Sequence, residues 1–182
     1  VMYLAHTEMG RPIRALARAS GCHASTVLRQ VRRVETQRDD PLIDAALRHL
    51  GALKGGRKAA EPCEDQDGMT ALKKAAPPPD DTTLLREARR ILRRLCEPGA
   101  VLAVATEMDK AVVVRDTPDG QSARTAVVDT PVAQAMALKG WIGCPNPGRI
   151  SRYRITPAGR SELNRLVAAQ ESRLRGFAES QA

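Results

Sequence analysis

Residues 1–50 carry apolar positions at helical spacing, broken by short turns, and predict a set of small helices. The pattern then stops. Residues 51–80 have no sustained apolar face, are rich in Gly, Ala and Pro, and end in Pro77-Pro78-Pro79. They read as a linker, stiff at its proline end. Periodicity returns with Leu84, Ala88, Ile91 and Leu95, a strong helix that Asp81 can cap and Pro98-Gly99 ends. Three apolar, largely β-branched runs follow, Ala100–Ala105, Ala111–Asp116 and Arg124–Asp129. They predict strands, with turns at Glu107–Lys110 and Thr117–Gly120. Asp129 can cap a short helix that carries Pro131 in its first turn and ends near Gly140. "WIGC" and "ISRYRI" predict two further strands around a Pro-Asn-Pro-Gly tip. Pro157 opens a last helix with Leu163, Leu166, Val167 and Leu174 as its apolar stripe. No internal repeat is present. The fold class expected is mainly α with a small antiparallel sheet.

Length and charge sharpen this picture. A chain of 182 residues holds one domain or two small ones. The net charge of +8 favours a polyanionic partner or an acidic protein surface. Arginine concentrates around Arg29–Arg38, Arg86–Arg94 and Arg149–Arg175. Aromatic residues make up only 2%, Tyr3, Trp141, Tyr153 and Phe177, too few for a base-stacking platform.

Several classes of chemistry lack their residues. Cys22, Cys63, Cys96 and Cys144 have no zinc-site spacing and read as free thiols of a reducing compartment. No apolar run approaches the ~20 residues of a membrane span. Arg11, Arg14 and Arg18 interrupt any hydrophobic signal core, so a cytoplasmic location is expected, with no membrane partner. No nucleophile elbow, metal-ligand cluster or carboxylate pair stands in a recognisable setting. Asp39-Asp40 before Pro41 reads as a helix start, and Asp116 and Asp119 flank a turn. "GGRK" at Gly55–Lys58 lacks the strand and glycine spacing of a phosphate loop. No enzyme, catalytic residue, cofactor or metal is expected.

"LARASGCHASTVLRQV", Leu16–Val31, has the demands of a helix-turn-helix. Ala17 is small where two helices meet, Gly21 suits a turn with positive φ, and Val27 is apolar in the middle of the second helix. Leu16, Cys22 and Val31 fill further apolar positions, and Gln30 stands where an apolar residue is usual. The second helix is expected to start near Ser25. The stretch resembles the bacterial helix-turn-helix family. That resemblance places His23, Ala24, Ser25 and Arg29 where base-reading residues lie, with Arg29 the best candidate for a bidentate guanine contact. Arg32, Arg33 and Arg38 are expected on phosphates. The alternative is an ordinary helical hairpin with a solvated arginine face.

"TPVAQAMALKGWI…RISRYRITPAGRSEL" resembles the second half of a winged-helix domain, with "ITPAGR" starting the helix after the wing. Pro131–Lys139 stands in the reading position yet contains no arginine; its polar residues are Gln134 and Lys139. The positive charge lies instead on the wing, at Arg149, Arg152 and Arg154, and on the final helix; the Leu84 helix also has a basic side, at Arg86, Arg89, Arg90, Arg93 and Arg94. These residues are expected to contact protein or nucleic-acid backbone; a solvated face is the plain alternative. The organisation expected is a helix-turn-helix DNA-binding module in 1–50, a linker in 51–80 and a winged-helix-like α+β domain in 81–182.

In order, "EARRILRRLCEPGAVLAVA", "KAVVVRD", "TAVVD", "AQAMALKGWI" and "YRITPAGR" resemble an alphaproteobacterial family that couples a helix-turn-helix to such a C-terminal domain. The family includes regulators of gene transfer agents, phage-like particles made by some of these bacteria. It implies a transcription regulator, activator or antitermination factor, whose partners are double-stranded DNA, RNA polymerase and elongation factors. An interaction adaptor that reads no DNA is the competing expectation.

Overall fold

The computed structural model describes residues 2–54, 79–105, 108–116 and 122–179, with side chains through residue 172 except that of residue 54. Among them are seven helices and a five-stranded antiparallel sheet, so the chain is mainly α with a small sheet. It divides into two compact units, one built on the first four helices and one on the remainder, with residues 40–42 counted in the second.

The first unit holds α1 (Met2–Thr7), α2 (Ile13–Ser20), α3 (Ala24–Gln37) and α4 (Pro41–Lys54). Its core includes Tyr3, Leu4, Leu16, Ala17, Val27 and Val31, and Val27 has no exposed surface. Burying one such aliphatic side chain contributes about 1.5–3 kcal/mol. Asp40 accepts the Leu42 amide at 2.9 Å and so caps α4. That helix runs four residues into the stretch expected as linker. Residues 55–78, with Cys63 and the "GGRK" segment, lie outside the described residues.

The second unit comprises α5 (Asp81–Leu95), β1 (Ala100–Ala105), β2 (Lys110–Asp116), β3 (Ser122–Asp129), α6 (Thr130–Leu138), β4 (Ile142–Gly143), β5 (Ile150–Ile155) and α7 (Pro157–Glu179). The strand order is β3-β2-β1-β5-β4. β1 to β3 form a meander, α6 carries the chain to the far edge, and the β4–β5 hairpin returns it to β1. Leu102 stands between Val113 and Tyr153, and all three are fully buried. The next row, Val127, Val112, Ala103 and Arg152, faces the other way and is half-buried or exposed. Side chains alternate along a strand, so the helices cover the Leu102 face. α5 supplies that cover with Leu84, Ala88, Ile91, Leu92 and Leu95, and it packs on the sheet, on α6 and on α7.

Local chemistry explains most boundaries. Asp80, not Asp81, caps α5 by accepting the Thr83 amide at 3.1 Å. Asp129 holds the N-cap position of α6 without a side-chain bond. α6 ends at Gly140, φ 70°, where the Gly140 amide reaches the Ala137 carbonyl (2.8 Å) and the Trp141 amide reaches Met136 (3.0 Å). Trp141 therefore closes a helix, and the expected "WIGC" strand shrinks to Ile142–Gly143. Thr156 caps α7, accepting the Gly159 amide at 3.0 Å. Its hydroxyl donates to the Gly140 carbonyl (2.6 Å), and its own amide donates to Trp141 (3.0 Å). The two ends of the hairpin are thus tied together.

Candidate nucleic-acid interface

The α2–α3 corner is built by Gly21, φ 64° and ψ 21°. Its amide donates to Arg18 (3.4 Å), and the Cys22 amide donates to Ala17 (3.1 Å). This double closure is the Schellman arrangement, which needs a left-handed residue between its two bonds. Cys22, expected as an apolar filler, is exposed, because it stands beyond the helix end. α3 begins at Ala24, next to Ser25 as expected. His23 is its N-cap: Nδ1 accepts the Ser25 amide at 3.3 Å and lies 2.8 Å from Ser25 Oγ.

Of the four residues expected at base edges, His23 and Ser25 are exposed but tied to each other, and Ala24 is half-buried. Arg29 is exposed one turn further on. Ser25, Arg29 and Arg33 follow at i, i+4 and i+8, so they stack on one side of α3 while Val27 and Val31 face the core. Arg32 and Thr36 border the same side. Arg29, Arg32 and Arg33 pair with no carboxylate among the described residues.

Arg38 stands apart. It follows the last turn of α3, donates through Nε to Asp44 (2.7 Å) and through Nη1 to the Tyr3 hydroxyl (3.1 Å). The Asp44 bond, then that to Tyr3, raises its pKa. Arg48 and then Arg38 hold the Asp44 carboxyl below the usual range. Arg38 is thus an internal tie and not part of the α3 face. Two arginines that the motif reading passed over, Arg14 and Arg18, are exposed one turn apart on α2 and pair with no carboxylate among the described residues. Their i, i+4 spacing was the signal.

In the second unit the expected contact residues do not form one surface. Arg90 clasps Glu87 (3.1 and 2.6 Å) and donates to the Val127 carbonyl (2.6 Å), fastening α5 to β3. Arg86 and Arg93 are exposed, and Arg86 lies 3.6 Å from Glu87. Gln134 is half-buried on α6. Lys139 lies past the end of that helix, 5.3 Å from the Trp141 ring centre, within cation–π range. Arg149 precedes β5. Arg152 and Arg154 project from β5 on the face opposite Tyr153, whereas α6 packs on α5, which covers the Tyr153 face. The sheet separates α6 from the strand arginines.

No protein-family model, no curated protein and no solved structure matches the chain. Among the described residues no helix is long and apolar enough to cross a membrane.

Proposed function

We propose that the chain is a transcription regulator that binds duplex DNA through α3 and engages RNA polymerase through its second unit. The observation that carries the DNA half is the outer side of α3. Three uncompensated arginines stand there, in register with Ser25 at the helix start, on a helix held at a Gly21 corner against α2. A helix with that side in the major groove brings Arg29 to base edges, where it makes a bidentate contact to guanine. Arg32 and Arg33, with Arg14 and Arg18 on α2, supply phosphate contacts, which give most of the affinity and its salt dependence. The second unit lacks a basic helix at the winged-helix reading position, which favours a protein partner for it. The identity of that partner, and the choice of activator or antitermination factor, rest on the resemblance to the gene transfer agent regulators.

The test is a salt titration of the full chain against a selected duplex and unrelated duplexes. Arg29→Ala costs about 1–3 kcal/mol on the selected site and relaxes preference at one base pair. Arg32→Ala weakens all sequences alike and makes the salt slope shallower by about 0.9. Equal losses on all sequences for both variants would refute this docking. Absence of duplex binding at low salt would favour the adaptor reading.

A further inference from the structure

A groove of about 410 Å³ runs between α5 and α7. Leu85, Leu166 and Ala169 give it an apolar lining, and Arg86, Arg89 and Arg165 stand around it. Arg165 is already answered by Glu162, through bonds of 2.9 and 2.5 Å. Arg86 has a 3.6 Å approach to Glu87, whose carboxylate is held by Arg90, and a through-space attraction to Asp80. Arg89 is half-buried and has no carboxylate or hydrogen-bond partner among the described residues. A guanidinium partly withdrawn from water without a counter-charge is costly, and an incoming carboxylate removes that cost with a bidentate bond.

The geometry points to this groove as a docking site for an acidic, leucine-bearing helix of a protein partner. The cleft between two helices accepts the apolar stripe of a third, read at i, i+3, i+4 and i+7. Arg86 and Arg89, one turn apart on α5, then meet carboxylates beside that stripe. A nucleic-acid backbone has charge for the arginines but nothing for the Leu85–Leu166–Ala169 lining. The inference builds on the reading of the second unit as the protein-docking half, and it moves the contact away from α6 and the hairpin.

The experiment uses the full chain and a labelled synthetic amphipathic helix with leucines on one face and Asp and Glu on the other. Controls are the same peptide with its acids changed to amides, the same peptide with leucines changed to serines, and a mixed-sequence DNA duplex. Fluorescence anisotropy is expected to show binding of the parent peptide alone among the three. Arg89→Glu weakens it about tenfold or more, as loss of a desolvated charge pair does, and Arg86→Glu adds to that loss. Ala169→Trp fills the groove from an exposed position and abolishes peptide binding with the thermal transition unchanged. Duplex binding stays as in the unaltered chain. Failure of the parent peptide to bind, equal binding by either control peptide, or indifference to all three variants would overturn the proposal. An equal loss of duplex binding in Arg86→Glu/Arg89→Glu would assign the groove to nucleic acid and overturn it too. Retained binding of purified polymerase by Arg86→Glu/Arg89→Glu and by Ala169→Trp would remove this groove and leave the proposed function standing.

Discussion

Gly21 is the residue on which the α2–α3 corner turns, and its replacement can be worked out. An alanine Cβ there meets no atom within 4 Å, so packing is not at issue. What changes is the backbone: φ of 64° lies in the left-handed region, which costs an L-residue about 1–2 kcal/mol. Alanine also narrows the unfolded ensemble, which returns about 0.4–1 kcal/mol. The net destabilisation expected for Gly21→Ala is therefore about 1 kcal/mol, a fall of about 4–8 °C in Tm for a unit of this size. Gly21→Asn should lose less, because asparagine tolerates this conformation. A D-alanine introduced at position 21 by semisynthesis should gain about 0.4–1 kcal/mol, since its mirror-image preference matches the turn and only the unfolded state is restricted. Far-UV circular dichroism on heating ranks the four proteins as D-alanine, glycine, asparagine, alanine. An L-alanine protein as stable as the parent, or equal losses for the two alanine enantiomers, would refute the assignment of this turn.

Gly159→Ala should be far more damaging, because the new Cβ would overlap the Trp141 carbonyl oxygen and approach Ile155. The obstacle is backbone, so a loss above about 3 kcal/mol is expected. Trp141, the only tryptophan, reports it in denaturant titrations. For Asp44→Asn the sign follows from a carboxyl held below its usual 3.8 by Arg48 and Arg38. That stabilisation is present above the unfolded value and is lost as pH falls through the lower folded one. The variant should be less stable at neutral pH, and the gap in Tm should close on acidification below 3.8; a gap that persisted there would exclude the ion pair as its cause.

Elements with a local cause were legible from residue order. The α5 stripe, the β1 run, the Gly21 turn and the Thr156-Pro157 start of α7 each depend on neighbours within a few positions, and all are present. Asp80 and Asp81 are adjacent and equally able to cap; the Thr83 amide, three residues on, selects Asp80. What escaped has distant partners. Arg38 is drawn from the α3 face by Tyr3, 35 positions away, and by Asp44. Arg90 is drawn to the Val127 carbonyl, 37 positions away. No periodicity in either helix distinguishes these arginines from their exposed neighbours. The side of the sheet on which the β5 arginines emerge was hidden for the same reason, because it follows from β5 pairing with β1. Arg89 was legible as part of the basic side of α5, but its half-burial was not, because that depends on α7 packing against α5.

The Thr156 clasp on Gly140 and Trp141 has an evolutionary reading. With both ends of the hairpin fixed by the same three residues, the connection from Cys144 to Arg149 is closed independently of its own length. Lengthening such a closed segment is cheap, about 0.6 kcal/mol for each doubling. Insertions and deletions can therefore accumulate at the Pro-Asn-Pro-Gly tip, changing how far Arg149 and its neighbours reach, while Tyr153 and the core beneath keep their register. A lineage can adjust the reach of this arm without renegotiating the fold, and an engineer can place a probe there on the same terms.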